Sequence, residues 1–149
     1  MIDKDKLSKY RSEVIEKSIN IEWIINAIIS QHYLKRVILP FVLEVLYDEY
    51  FSFALRRNIL KKIIKDIDSQ KVEDLNRLNT IRNYFAHCNQ EIFEASDKTK
   101  KRGKIIDPRH IEREIDFESL YSEFTEKEKG VVEYLAKLFQ DLGGVLEKE

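Results

Sequence analysis

Ile81-Arg82-Asn83-Tyr84-Phe85-Ala86-His87 sets a permanent cation, a neutral amide and an imidazole within about one and a half turns of a predicted helix. A guanidinium grips a phosphate through two parallel N–H donors and offsets charge developing on its oxygens. An imidazole, with an ordinary pKa near ~6.5, carries protons at neutral pH. These are the parts of a phosphodiester-cleaving site that works without a metal. Nothing else in the 149 residues offers comparable chemistry. Taken singly, each has an ordinary structural use: Arg82 in a surface ion pair, His87 as a hydrogen-bonded structural histidine, Asn83 as a helix-surface amide. Their shared setting is what joins them.

Projected at about 100° per residue, residues 72–94 gather Leu78, Ile81, Phe85, Cys88 and Ile92 into an apolar stripe. Opposite lie Asn76, Asn79, Asn83, Ala86, His87 and Gln90. Solvated helix faces usually carry Lys and Glu, and 36% of this chain is charged, so an uncharged outward face is out of character. Charge depletion marks the core of an interface, and the face therefore predicts a contact surface. Asn83 and His87 are neighbours at i and i+4, whereas Arg82 stands about 140° round the helix from His87. Either the arginine side chain reaches around the helix, or two copies pair so that their arginines and histidines converge in one cleft. The predicted assembly is a two-fold homodimer with Asn76, Asn79, Asn83, Ala86 and Gln90 at the contact. Cys88 falls in the stripe and reads as core.

The elements that must position this helix are themselves helical. With 4 Gly, 2 Pro and 43% hydrophobic residues, the composition predicts an all-α fold, a single-domain helical bundle of about four to six helices over 1–149. A first helix is predicted over about 4–33, apolar nearly all round from Ile19 onward, so that it is either central or shared with a partner chain. Pro40 opens a second helix carrying Phe41, Val42, Val45 and Leu46. After a bend at 50–52, a third helix is predicted to about Asp68, with Arg56, Arg57, Lys61, Lys62 and Lys65 as a solvated positive face. Ser69 is the predicted N-cap of the motif helix. Residues 96–109 read as a loop, and 116–142 as helix, in one piece or in two joined near a capping box at 125–128.

A net charge of −1 excludes a protein that coats nucleic acid through bulk electrostatics, so any RNA contact must be local. One cysteine and three scattered histidines leave no zinc-ligand spacing, and neither metal nor cofactor is expected. The lone cysteine, the charged N-terminal stretch and the absence of a long apolar run predict a cytoplasmic protein with no membrane partner.

Arg82-Asn83-x-x-Ala86-His87, on a helix of an all-α chain, resembles the signature of the HEPN superfamily (higher eukaryotes and prokaryotes nucleotide-binding): Arg, a polar residue, a short spacer, then His. Ile21-Glu22-x-x-Ile25-x-x-Ile28-Ile29, closing at His32-Tyr33, looks like the long opening helix of those domains. The resemblance implies a dimeric metal-independent endoribonuclease of a toxin–antitoxin, abortive-infection or related defence system, with an antitoxin or other inhibitory protein as partner. Arg82 and His87 would be catalytic and Asn83 would orient them. RNA would supply its 2′-hydroxyl as nucleophile, and DNA would be spared. One branch of the superfamily has a tyrosine two residues after the histidine, where a partner nucleotidyltransferase modifies it; Asn89 stands there in this chain, a departure from that branch. Other members are non-catalytic binding or regulatory modules, which is the competing reading.

Beyond the motif, Lys98, Lys100, Lys101, Arg102 and Lys104 form the one dense basic cluster. It reads either as a solvated loop or as a clamp on RNA phosphates. If it is a clamp, replacing Lys100, Lys101 and Arg102 with Ser weakens RNA binding and makes its salt dependence shallower, because fewer counterions are released. Cleavage at saturating RNA should then fall far less than binding does. Binding titrations across a salt series decide between the two readings, and an unchanged slope returns the loop to solvent.

Overall fold

The computed structural model describes residues 4–87, 104–107 and 110–145; for 104–107 and 110–115 the description is of the backbone. Among these residues, helices carry the fold, as the composition predicts. They are α1 (Lys4–Leu34), α2 (Leu39–Phe41, running directly into a π-helical stretch Val42–Leu46), α3 (Phe53–Ile63), α4 (Ser69–His87) and α5 (Phe117–Asp141). Among the described residues, no helix is long and apolar enough to cross a membrane. The chain groups into two compact units, one drawn from 1–18 and 76–128, the other from 19–75 and 129–149.

In the first unit, Leu7 and Val14 of α1, Leu78, Ile81 and Phe85 of α4, and Phe117, Leu120 and Phe124 of α5 are buried. The apolar stripe expected on the motif helix is thus the core side as far as Phe85; Cys88 and Ile92 lie outside the described residues. Removing a buried ring such as that of Phe85 costs about 3–5 kcal/mol by the general behaviour of core phenylalanines. Part of the expected loop is instead a strand. β1 (Lys104–Asp107) pairs antiparallel with β2 (His110–Asp116), Lys104 opposite Asp116 and Ile105 opposite Ile115, with an irregularity after Ile106. The β-branched isoleucines at 105, 106, 111 and 115 favour extended backbone, a signal outweighed in the sequence by the surrounding charges. Asp116 then caps α5, its Oδ1 accepting from the amides of Glu118 at 3.1 Å and Ser119 at 3.3 Å.

The helix 117–141 is one piece. Thr125 is not a cap: its hydroxyl donates to the Tyr121 carbonyl at 2.9 Å, a bond made inside a continuing helix. The cap of α4 also moves by one residue, since Asp68 rather than Ser69 accepts the amide of Gln70, at 2.9 Å. And α3 stops at Ile63, short of the expected Asp68.

The second unit encloses α1 completely from 25 to 30, where every residue is buried. This agrees with the prediction that an all-round apolar helix is covered on more than one side, although Ile19 and Trp23 stay partly exposed. Val42, Leu46, Leu60, Leu75, Val131, Leu135 and Phe139 supply the rest of this core.

Arg56 corrects the solvated positive face predicted for α3. It is only 3% exposed. Its Nε donates to Asn26 Oδ1 at 2.9 Å, Nη1 to Glu22 Oε1 at 2.7 Å and to the Phe51 carbonyl, and Nη2 to the Leu46 carbonyl. The guanidinium also lies 5.6 Å from the centre of the Tyr47 ring. One charged group therefore ties α1, the end of the π-helical stretch and the turn before α3. A buried charge is tolerable only when paired and hydrogen-bonded, and here nearly every donor is used. Lys61, Lys62 and Lys65 do face solvent.

Arg56→Met keeps volume but strands the Asn26 amide oxygen and two main-chain carbonyls without their donor. Breaking a buried pair from one side costs about 3–5 kcal/mol. Urea titration should show that loss for Arg56→Met, against a change within about 0.5 kcal/mol for the exposed Lys61→Ala.

Candidate functional site

The motif residues lie in the last two turns of α4 as described, held from behind by Ile81 and Phe85, which are buried at 0% and 1% exposure. Because the side chains at 81 and 85 point into the first unit, helical geometry turns Arg82 and His87 outward; both are exposed, and Asn83 and Ala86 are half-buried.

The Arg82 guanidinium does not extend straight into solvent. Its Nη1 donates to Asn83 Oδ1 at 3.2 Å. Asn83 stands one turn before His87, so the amide draws the cation around the helix toward the imidazole's side.

A further cation sits at the same end of α4. Arg11 of α1 reaches across within the first unit, its Nη2 3.5 Å from the Ala86 carbonyl oxygen. It was not among the residues the sequence singled out. A signal for it exists: Leu7 and Val14 are core residues of α1, and position 11 falls between them at the i+4 and i−3 places of the same stripe. A cation on a core-facing line is a residue with something to reach.

Arg77, the next arginine back along α4, differs in kind. Its Nε and Nη2 donate to the two carboxylate oxygens of Glu123 at 2.7 and 2.9 Å. That hydrogen-bonded carboxylate raises the guanidinium's already high pKa, and the pair is locally neutral. Arg11 and Arg82 are held by neutral oxygens instead. Among the described residues, neither pairs with a carboxylate.

The first unit also carries a shallow groove lined by Tyr10, Glu118, Tyr121, Ser122, Thr125 and Glu126. The rings of Tyr10 and Tyr121 stack 3.7 Å apart and nearly parallel. Tyr121 donates its hydroxyl to the Glu13 carboxylate, and that bond, followed by partial desolvation, raises its pKa. Lys6 forms an ion pair with Glu118, whose hydrogen bond raises the lysine pKa. Glu118 is offset by Lys6 and Glu126 adds an acidic group to the wall, so the groove does not compete with the arginine end of α4 as an anion site.

Of the expected contact face, Asn76, Asn79, Asn83 and Ala86 are half-buried on one side of α4, and the Asn76 carbonyl accepts the Thr80 hydroxyl at 3.1 Å. Gln90 lies outside the described residues, as do Lys98, Lys100, Lys101 and Arg102. Lys104 opens strand β1 opposite Asp116. Among the described residues, no three His, Cys, Asp or Glu side chains are grouped so as to hold a metal ion. No family model, curated protein or solved structure matches the chain.

Proposed function

We propose that this chain is a metal-independent endoribonuclease that acts as a two-fold homodimer, with Arg82 and His87 catalytic and Asn83 positioning the arginine, in a toxin–antitoxin, abortive-infection or related defence system. The observation that carries the reading is the Arg82–Asn83 hydrogen bond at 3.2 Å, which turns a guanidinium that has no carboxylate partner among the described residues toward the residue one turn before His87. A neutral partner fixes the cation's direction without spending its charge. A carboxylate in the same place would have done the reverse, as Glu123 does for Arg77.

The chemistry follows from those groups. His87 accepts the proton of the RNA 2′-hydroxyl as that oxygen attacks the adjacent phosphorus. The bond from phosphorus to the 5′-oxygen breaks, and the partner's His87 returns a proton to the departing oxygen. Arg82 donates to the non-bridging oxygens, on which charge accumulates in the pentacoordinate transition state. The products are a 2′,3′-cyclic phosphate and a 5′-hydroxyl. DNA lacks the nucleophile and is spared. Pairing through Asn76, Asn79, Asn83 and Ala86 would set the two histidines and two arginines into one cleft.

Purified protein mixed with total RNA in a chelator should cleave it, leaving ends that carry the cyclic phosphate. His87→Ala should lower the rate about 10²–10⁴-fold and Arg82→Ala about 10²–10³-fold, with helical circular dichroism unchanged. Intact RNA at every protein ratio would favour the non-catalytic binding module. For the dimer, Asn79→Glu together with Ala86→Glu places like charges across a symmetric contact; light scattering should report a monomer that stays helical, and an unchanged dimer would move the contact elsewhere.

A further inference from the structure

The sequence motif supplies one arginine per chain, yet the structure holds two at this end of α4. Arg11 and Arg82 come from different helices of the first unit, both are exposed, and each is fixed through a neutral oxygen: the Ala86 carbonyl at 3.5 Å for Arg11 and the Asn83 amide at 3.2 Å for Arg82. Ala86 lies between Asn83 and His87 on α4. Arg11 therefore reaches the main chain of the residue that precedes the imidazole.

A guanidinium has five donors, and the bond to Ala86 uses one nitrogen. The planar fork suits bidentate capture of a phosphate. The neighbouring arginine of α4, Arg77, shows what a structural arginine looks like in this unit: a two-pronged ion pair with Glu123. Arg11 and Arg82 thus sit at the same end of α4 with no carboxylate partner among the described residues, an arrangement that favours an anion. A polyanion with regularly spaced phosphates answers both cations at once. We propose that Arg11 binds an RNA backbone phosphate next to the one that Arg82 holds for cleavage, a positioning role that sets where the strand lies relative to His87. This assignment rests on the ribonuclease reading of the same site.

The role predicts a split between binding and chemistry. Arg11→Gln removes the charge and keeps a polar, uncharged side chain; Arg11→Lys keeps the charge and loses the fork. The probe is a 2′-O-methyl oligoribonucleotide, which binds but has no nucleophile. For Arg11→Gln its dissociation constant should rise about fivefold or more, and the salt slope should become shallower by about 0.7, the single-strand value for one phosphate contact. With cleavable RNA, KM should rise by a similar factor while kcat stays within about twofold. Arg11→Lys should retain the salt slope. In the unmodified protein, the oligonucleotide should also protect Arg11 from phenylglyoxal, as read by mass spectrometry, which needs no variant to fold.

An Arg11→Gln protein with native affinity and salt slope, or an Arg11 that stays reactive in the complex, overturns the proposal. If His87→Ala still abolishes cleavage in that case, the ribonuclease reading stands without it. A native protein that neither binds the probe nor cleaves RNA overturns both together.

Discussion

Burying a guanidinium is among the most expensive things a small protein does, and the second unit is organised around one. Arg56 lies among Asn26, Glu22, the Phe51 and Leu46 carbonyls and the ring of Tyr47. Hydrophobic contacts are forgiving about direction; a guanidinium is not, because its donors lie in one plane at fixed angles. The positions of α1, the turn after the π-helical stretch and the start of α3 are thereby set relative to one another to within hydrogen-bond tolerance. Burial also raises the Tyr47 pKa, with the Glu22 charge adding to it and the Asn26 side chain and then Arg56 partly opposing. One amide atom in this network, Asn26 Nδ2, is buried without a described partner.

The first unit uses the same residue type in the opposite way. There a charge near the surface is directed but not neutralised. The contrast between Arg77, forked onto Glu123, and Arg82 and Arg11, steered by neutral oxygens, separates arginines that hold structure from arginines left available to an anion. Both arrangements are built on helices whose inward faces are apolar and fixed, Ile81 and Phe85 on α4, Leu7 and Val14 on α1. The rigidity of the supporting core gives an exposed long side chain a defined place to start from.

How much of this was written in the sequence follows physical lines. Apolar spacing at three, four and seven residues marked the core of α4 as far as Phe85 and of α5 from Phe117 to Leu135, since burial is a property of a whole face; nearer the end of α5 the same spacing points to Leu138 and Leu142, which are half-buried, whereas Phe139 is the buried residue. Single-residue chemistry was less legible. Asp68 and Ser69 are both good caps, and only the folded geometry decides that Asp68 accepts the amide. Thr125 and Glu128 match a capping box in spacing, but a helix with Phe124 and Val131 buried on either side has no reason to break. Arg56 reads as surface because its neighbours Arg57, Lys61 and Lys62 do; its inward turn depends on Asn26 and Glu22, thirty and thirty-four positions away. For Arg11 the stripe position between Leu7 and Val14 was legible, but not its partner, since a main-chain carbonyl has no sequence signature.

The π-helical stretch has a consequence for how this segment can change. Between Val42 and Leu46 the ladder runs from the Tyr47 amide back to the Val42 carbonyl at 3.0 Å, five residues rather than four. A regular helix would need one residue fewer to cover the same turn. Relaxing the same residues into a regular helix, with none removed, would rotate everything after them by about 100° and carry the Leu46 carbonyl away from Arg56. The irregular turn is thus kept by a contact outside itself, and the length of 42–46 is as constrained as the identity of any side chain within it. Substitution can be absorbed there far more readily than a further insertion.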